Sequence, residues 1–287
     1  MNDDQNTTGS HPSDDLEKIK RLLEQQQNSA KLLIRRDLEL TRANERLRAL
    51  DQMKTDFVSV ATHQLRTPLS AIKWTLSMLL KGDVGPLTNE QKTFLMKAYE
   101  SNDRMVALLG DMLLSDQIES GKVRTSNTTS LLPELPENLL LELQSVAERK
   151  HITIRFEHPA PSYAPVIIDP RHLRAVLQNL LENAVKYSSA QGTVVLHLTE
   201  EGAKTIFTVV DTGIGIPLDS QKHISTRFFR AQNAVKMETD GSGLGLFIAK
   251  SILEKNKGTI EFKSEEGTGS TFTVVLPNTH SIVNTPV

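Results

Sequence analysis

The sequence predicts an α+β protein with a helical N-terminal part and a two-layer α/β sandwich as its C-terminal part. Apolar residues recur first at seven-residue and then at helical spacing, which is typical of a coiled coil followed by packed helices. After a polar stretch near residue 125, helix and strand patterns alternate, and the last strands carry apolar residues at every second position. At 287 residues, the chain is long enough for two ordinary domains.

Composition and charge exclude several classes of protein and site. The chain is 38% hydrophobic and 24% charged, as in soluble globular proteins, and its net charge of -2 leaves no basic excess for binding nucleic acid. The absence of cysteine excludes disulfides, thiolate metal sites and cysteine nucleophiles. No apolar run approaches the roughly 18 residues of a membrane span. We therefore expect a cytoplasmic chain, either complete or the intracellular portion of a longer membrane-bound receptor.

The N-terminal segment predicts a disordered tail and then a signalling helix. Residues 1–15 are polar and offer almost nothing to bury. Residues 16–52 carry two apolar seven-residue repeats, with some polar core positions, which favour a parallel two-stranded coiled coil. The members of these repeats are Ile19, Leu33, Leu40 and Leu47, and Leu16, Leu23 and Ala30. A single amphipathic helix lying on its own domain is the alternative.

Residues 53–120 predict an antiparallel helical hairpin. Helical spacing continues to about Lys81, where a turn rich in glycine interrupts it. Thr88 and Gln91 have the spacing of a capping box, which predicts the start of a second helix. Two such hairpins can bury each other's apolar stripes as a four-helix bundle, so we expect a homodimer.

Residues 121–130 are polar and rich in Ser and Thr, and we interpret them as a linker to a domain over residues 131–277. That domain is expected to contain three main helices and five strands. The helices are expected near 134–150, from Pro170 onward and near 243–255, and the strands near 152–156, 193–199, 204–210, 258–263 and 270–276. Residues 278–287 are expected to be loose.

His63 lies in the middle of the first hairpin helix and is the candidate nucleophile. Pro68 cannot donate a backbone hydrogen bond to the carbonyl of Gln64, so we expect a kinked or loosened helix directly after the histidine. Much of an exposed imidazole is neutral at pH 7, as a nucleophile requires. A surface or core-edge histidine with no chemical role is the alternative.

A polar face on the helix that begins at Pro170 predicts a phosphate site. Asn179, Asn183, Lys186 and Tyr187 lie beside its apolar stripe at helical spacing. Carboxamide oxygens can bind Mg²⁺, and a lysine can neutralise phosphate charge. For this helix taken alone, a solvated polar face is the alternative.

Two glycine-rich segments predict close approach of the backbone to a ligand. Residues 211–216 read Asp-Thr-Gly-Ile-Gly-Ile after an apolar strand, and residues 241–246 read Gly-Ser-Gly-Leu-Gly-Leu before a helix. Backbone N–H groups in such turns and at a helix N-terminus can bind phosphates. Neither segment has the Lys-Ser/Thr of a P-loop, and the order of elements predicts none of the parallel βαβ units of a dinucleotide-binding fold.

Together these segments resemble the ordered motifs of dimeric sensor histidine kinases between about residues 50 and 277. In chain order they are the segment around His63 (phosphoacceptor box), 179–188 (N box), 211–216 (first glycine box), 227–230 (F box), 241–246 (second glycine box) and 267–272 (a strand entry that closes the nucleotide site).

The resemblance implies a protein-histidine kinase of a two-component regulatory system. Such an enzyme uses ATP and Mg²⁺ to phosphorylate His63 and passes the phosphoryl group to an aspartate of a response-regulator receiver domain. The resemblance also implies that Asn183 binds Mg²⁺, that Asp211 binds the adenine amino group and that Arg230 binds the γ-phosphate. It implies a lid over residues 218–240. The remaining nucleotide-site residues that it implies are Asn179, Lys186, Tyr187, Gly213, Gly215, Gly241, Gly243, Gly245 and Thr271.

The sequence departs from the family pattern next to the phosphoacceptor and in the F box. Gln64 stands where the family usually has an acidic residue, and a carboxamide cannot take up the proton that His63 releases. Thr67 matches the position from which related kinases present a hydroxyl during dephosphorylation of the receiver. Ser225 and Thr226 replace the usual Phe-Glu pair. A phosphatase-biased protein or a non-catalytic, nucleotide-sensing dimeric scaffold is therefore the alternative function.

Overall fold

The computed structural model describes residues 12–120, 129–130, 132–160 and 162–279. It divides into two units, with the boundary between Phe57 and Val58. The predicted tail over residues 1–11, most of the predicted linker and residues 280–287 lie outside the described residues. Residues 12–15, which were predicted to be disordered, are helical.

The first helix, α1, spans Pro12–Lys81 as one uninterrupted element. The disturbance predicted after His63 does not end the helix at Pro68, although the carbonyl of Gln64 has no N–H donor there. The side chains of Leu33, Leu40 and Leu47 are exposed along the predicted coiled-coil segment. The coiled coil itself stays a prediction.

A second helix, α2, spans Asn89–Glu119 and forms the predicted antiparallel hairpin with α1. The capping box is confirmed, since Gln91 N donates to Thr88 Oγ1 at 3.2 Å and Thr88 N donates to Gln91 Oε1 at 2.9 Å. Between the helices, Asn102 Nδ2 donates to the carbonyl oxygen of Leu69 at 3.0 Å. This pairing fixes which turns of the two helices face each other.

The C-terminal domain, residues 129–279, contains the predicted helices and strands with small shifts of their ends. Its helices are α3 (Glu134–Arg149), α4 (Pro170–Tyr187), α5 (Leu218–Gln221), α6 (Gln232–Met237) and α7 (Gly245–Lys255). Its strands are β1 (Thr129–Ser130), β2 (Thr153–Glu157), β3 (Val166–Ile167), β4 (Thr193–Glu201), β5 (Lys204–Asp211), β6 (Thr259–Glu265) and β7 (Gly269–Pro277).

Five strands form the main sheet in the order β2-β4-β5-β7-β6. All neighbouring pairs are antiparallel except β2 and β4, which are parallel because α4 carries the chain across one face between them. The expectation that no parallel βαβ unit occurs is therefore wrong for this pair. Residues 129–130, predicted to belong to the linker, instead pair with β3 as a small antiparallel sheet.

Helices α3, α4 and α7 cover one face of the sheet and close the core with it. Strands β4 and β5 bury every second side chain, as half-covered strands should. Asp169 begins α4 by accepting a hydrogen bond from Arg171 N at 2.8 Å, which places the apolar stripe of α4 on the sheet. The predicted two-layer arrangement is confirmed.

The end of the domain is more ordered than the sequence predicts. Asn278 is fully buried, its N–H donates to the carbonyl of Ala203 at 3.1 Å, and its Nδ2 donates to the carbonyl of Gly202 at 3.2 Å. The prediction of a loose segment is wrong at Asn278, because this residue closes the turn between β4 and β5.

Among the described helices, none combines the length and the apolar character that a membrane span requires.

Candidate active site

A cavity of about 230 Å³ lies between α4, the segment after β5, the α5–α7 region and β7. It brings together most of the predicted nucleotide-site residues from motifs that are far apart in the sequence. These residues are Asn179, Asn183, Lys186, Tyr187, Asp211, Gly215, Arg230, Gly241, Gly243 and Gly245.

The cavity combines a buried carboxylate with apolar walls. Asp211 ends β5, and its Oδ1 accepts a hydrogen bond from Gly213 N at 2.9 Å. Burial raises the pKa of Asp211 to about 6, and backbone hydrogen bonds from Gly213 and Ser270 partly oppose this shift. Ile216 and Phe272 line the same cavity. Asp211 and these apolar walls can accept an amino group at the edge of a flat, apolar ring.

The cavity also gathers positive charge around Gly241. A Cβ atom at Gly241 would lie 3.1 Å from Lys186 Nζ and 3.3 Å from Arg230 Cζ, so the two cations flank this glycine. Burial lowers the pKa of Lys186, and the neighbouring Arg230 guanidinium contributes to the same direction. Two cations held this close together form a site for a multiply charged anion.

The second glycine box fits closely against the lid and α4. Gly243 has a φ of +68°, and a Cβ there would lie 2.7 Å from the carbonyl carbon of Phe228. Asn179 Nδ2 donates to the carbonyl oxygen of Ala175 at 2.8 Å, which leaves Asn179 Oδ1 facing Gly245. A Cβ at Gly245 would lie 2.3 Å from that oxygen. Helix α7 begins at Gly245 without a side-chain cap, which leaves backbone N–H groups available for an anion.

Two of the predicted nucleotide-site residues, Gly213 and Thr271, do not line the cavity. The N–H of Gly213 instead holds the Asp211 carboxylate. Thr271 lies between Ser270 and Phe272 on β7, and those two neighbours line the cavity. Because successive side chains of a strand point to opposite faces, Ser270 and Phe272 face the cavity and Thr271 does not, and the role of Thr271 at the nucleotide stays a prediction.

The cavity also contains polar residues that sequence reasoning missed. Glu182 and Ser242 lie within predicted motifs, so the predicted site residues next to them could have indicated that they line the cavity. Asn233 comes from the lid, where its Nδ2 donates to the carbonyl of Gly215 at 2.9 Å. Asp111 comes from α2, in the helical hairpin, and no local pattern around it indicates a cavity residue.

The candidate nucleophile lies on the surface of the hairpin. His63, Gln64 and Thr67 are exposed on α1, and none of them lines the cavity. Thr67 Oγ1 donates to the carbonyl oxygen of His63 at 3.4 Å, one helical turn away. The imidazole is therefore accessible to a reactive group delivered from outside the hairpin.

Two family descriptions match consecutive parts of the chain. Residues 53–121 match the His Kinase A (phospho-acceptor) domain, and residues 168–280 match the histidine kinase-, DNA gyrase B- and HSP90-like ATPase. The first match contains His63, and the second contains Asp211 and Arg230, which line the cavity.

Named relatives share the same two parts. The circadian input-output histidine kinase CikA of Synechococcus elongatus is 35% identical over 257 residues, which are 89% of this chain and 34% of that protein. The sensor histidine kinase RppB of Synechocystis is 33% identical over 227 residues, 79% of this chain and 49% of that protein. This chain thus spans about a third of the first relative and about half of the second.

Among solved structures, full-length ShkA in complex with AMPPNP is similar to this chain. The TM-score is 0.61 at 26% identity, and the similarity covers 78% of this chain and 46% of ShkA. A phosphoacceptor domain followed by an ATPase domain, in the order shared with these relatives, shows that the chain belongs to the sensor histidine kinases.

Proposed function

We propose that the chain is a protein-histidine kinase that binds ATP, phosphorylates His63 and passes the phosphoryl group to an aspartate of a response-regulator receiver domain. The arrangement of the cavity carries this proposal. It combines the Asp211 carboxylate and apolar walls, which suit adenine, with Lys186 and Arg230, which suit a triphosphate.

Asn183 is the residue that we propose for Mg²⁺. Its carboxamide lines the cavity, and no hydrogen bond from it to another described residue is present. A neutral amide oxygen together with phosphate oxygens and water suits this hard cation. When bound, Mg²⁺ would neutralise charge on the phosphate oxygens.

The proposed first step is an in-line transfer of the γ-phosphoryl group of ATP from oxygen to nitrogen. A neutral imidazole nitrogen of His63 attacks the γ-phosphorus, the bond from phosphorus to the β–γ bridging oxygen breaks, and ADP leaves with that electron pair. Lys186 and Arg230 stabilise the negative charge on the phosphate oxygens. Gln64 can accept the imidazole N–H but is not a base, so the proton passes to water at this exposed site.

The proposed second step returns His63 to its starting state. An aspartate carboxylate oxygen of the receiver attacks the phosphorus, the ring takes a proton back from water, and the bond between phosphorus and nitrogen breaks so that neutral imidazole leaves. Because His63 does not line the cavity, both steps require arrangements in which His63 meets a separate reactive group. The exposed position of His63 on α1 is compatible with both.

We propose a homodimer as the working form. The hairpin exposes large apolar side chains that a monomer would leave in water, among them Leu65, Ile72, Trp74 and Phe94. A second copy can cover them as a four-helix bundle, because both helices of the hairpin carry such residues.

Labelling with γ-phosphate-labelled ATP and Mg²⁺ tests the proposed function. We expect acid-labile, base-stable label on the wild-type chain, no label on His63→Gln, and normal label on His151→Gln, which removes another exposed histidine. Addition of the receiver domain should then remove the label from the kinase. Label that persists in His63→Gln would refute the assignment of the nucleophile.

A further inference from the structure

Residues 238–242 form a lid segment. Its backbone carbonyl oxygens accept hydrogen bonds from the two cations of the proposed phosphate site. Arg230 Nη1 donates to the carbonyl oxygen of Thr239 at 2.7 Å, and Arg230 Nη2 donates to that of Glu238. Lys186 Nζ donates to the carbonyl oxygen of Asp240. Three consecutive carbonyl oxygens of the lid segment thus accept the hydrogen bonds that a triphosphate would need.

The other side of the lid segment is held by α2. Arg104 Nε lies 3.2 Å from Asp240 Oδ2, and Ser242 Oγ donates to Asp111 Oδ2 at 3.2 Å. Arg104 and Asp111 are seven residues apart, so they lie on the same face of the helix two turns from each other. One side of α2 therefore contacts both ends of the stretch from Asp240 to Ser242.

The charges at this contact oppose a triphosphate. Asp111 lines the cavity, where its carboxylate would lie in the same space as the phosphate oxygens. Burial raises the pKa of Asp111, although the hydrogen bond from Ser242 opposes this shift. The cavity of about 230 Å³ is also smaller than the roughly 300–1,000 Å³ of ordinary ligand sites.

We propose that α2 clamps the lid segment onto Lys186 and Arg230 as an internal substitute for the triphosphate, so that docking on α2 and triphosphate binding exclude each other. This autoinhibitory contact rests on the proposed function, because it assigns the same two cations to phosphate. Linkage makes the effect reciprocal. Bound ATP weakens the docking of the lid segment on α2 by the same factor by which docking weakens the binding of ATP. Adenosine, which has no phosphate, does not compete with the lid segment.

Calorimetric titration of the full chain with AMPPNP and Mg²⁺, and separately with adenosine, tests the clamp. All variants carry His63→Gln so that no transfer occurs. Arg104→Gln should tighten AMPPNP binding about two- to fivefold, the range of an exposed ion pair, and leave adenosine affinity unchanged. Lys97→Gln is the matched control, since it removes the same charge from an exposed position one heptad earlier on α2.

A charge swap provides the second variant. The double substitution Arg104→Asp with Asp240→Arg restores an ion pair and should return AMPPNP affinity close to the starting value. Equal AMPPNP affinity in Arg104→Gln and Lys97→Gln would overturn the clamp, and so would an equal gain for adenosine. Failure of every variant to bind AMPPNP would instead overturn the proposed function, and the clamp with it.

Discussion

The helical hairpin and the C-terminal domain bury their apolar side chains in different places. In the C-terminal domain, the stripe of α4 packs on the sheet, and Leu177 and Phe207 are fully buried. In the hairpin, Trp74 and Phe94 keep about two thirds of their surface exposed. Similar helical periodicity therefore leads to an internal core in one region and to a surface for a second copy in the other.

The same contrast separates the two reacting groups. The cavity is built within the C-terminal domain except for Asp111, whereas His63 lies on the exposed surface of α1. In the proposed function, the C-terminal domain binds the phosphoryl donor, and the exposed surface of the hairpin presents the acceptor. Nucleotide affinity and dimer stability should consequently respond to different substitutions.

Core truncation should have the largest effect in this comparison. Leu177→Ala should lower the free energy of unfolding of the C-terminal domain by about 2–5 kcal/mol, because it leaves a cavity under α4. Urea unfolding followed by circular dichroism measures the loss, which should not depend on protein concentration.

Phe94→Ala is the counterpart in the hairpin. The loss in the free energy of unfolding that this substitution causes should increase as the protein is diluted, because Phe94 contributes to stability through its contact with the second copy. Trp74 is the only tryptophan in the sequence, and its fluorescence reports on the hairpin. A loss for Phe94→Ala that is the same at every concentration would contradict the assignment of this surface to the dimer.

The pH dependence of adenosine binding should be the next largest effect. In the proposed complex, the adenine amino group donates to ionised Asp211, and this carboxylate becomes protonated as the pH falls through about 6. Affinity should therefore be full at pH 8 and about tenfold weaker at pH 5, one unit below that pKa.

Asp211→Asn is the control for this pH profile. It keeps an acceptor oxygen but cannot titrate, so its weaker affinity should be level between pH 5 and 8. A wild-type profile that is equally level would contradict the assignment of Asp211 to the adenine amino group.

The smallest expected effect tests local structure in the hairpin. Thr88→Ala removes one half of the capping box and should cost about 1 kcal/mol in the unfolding of the hairpin, measured by Trp74 fluorescence. Thr93→Ala, which changes an exposed threonine inside the same helix, should stay within about 0.5 kcal/mol of the wild type. Equal losses for both variants would show that the cap contributes nothing specific.

Local patterns predicted most of the elements and much of the candidate site. The capping box at Thr88, the stripe of α4 and the two glycine-rich segments depend on residues within a few positions of one another. The errors concern relations between elements. Ser270 and Phe272 line the cavity and the predicted Thr271 does not, because the face of β7 that meets the cavity depends on the pairing of that strand.

The sequence by itself determined the order of the domains, the helical and strand periodicities and the residues that could bind phosphate, because each follows from neighbouring residues. Only the tertiary structure decided that β2 lies parallel to β4, that Asn278 is buried and that Asp111 reaches the cavity. These facts depend on contacts between residues 40 or more positions apart, from Thr153 opposite Thr193 upward. Short-range periodicity determines which side of an element is apolar, but it does not determine which distant element covers it.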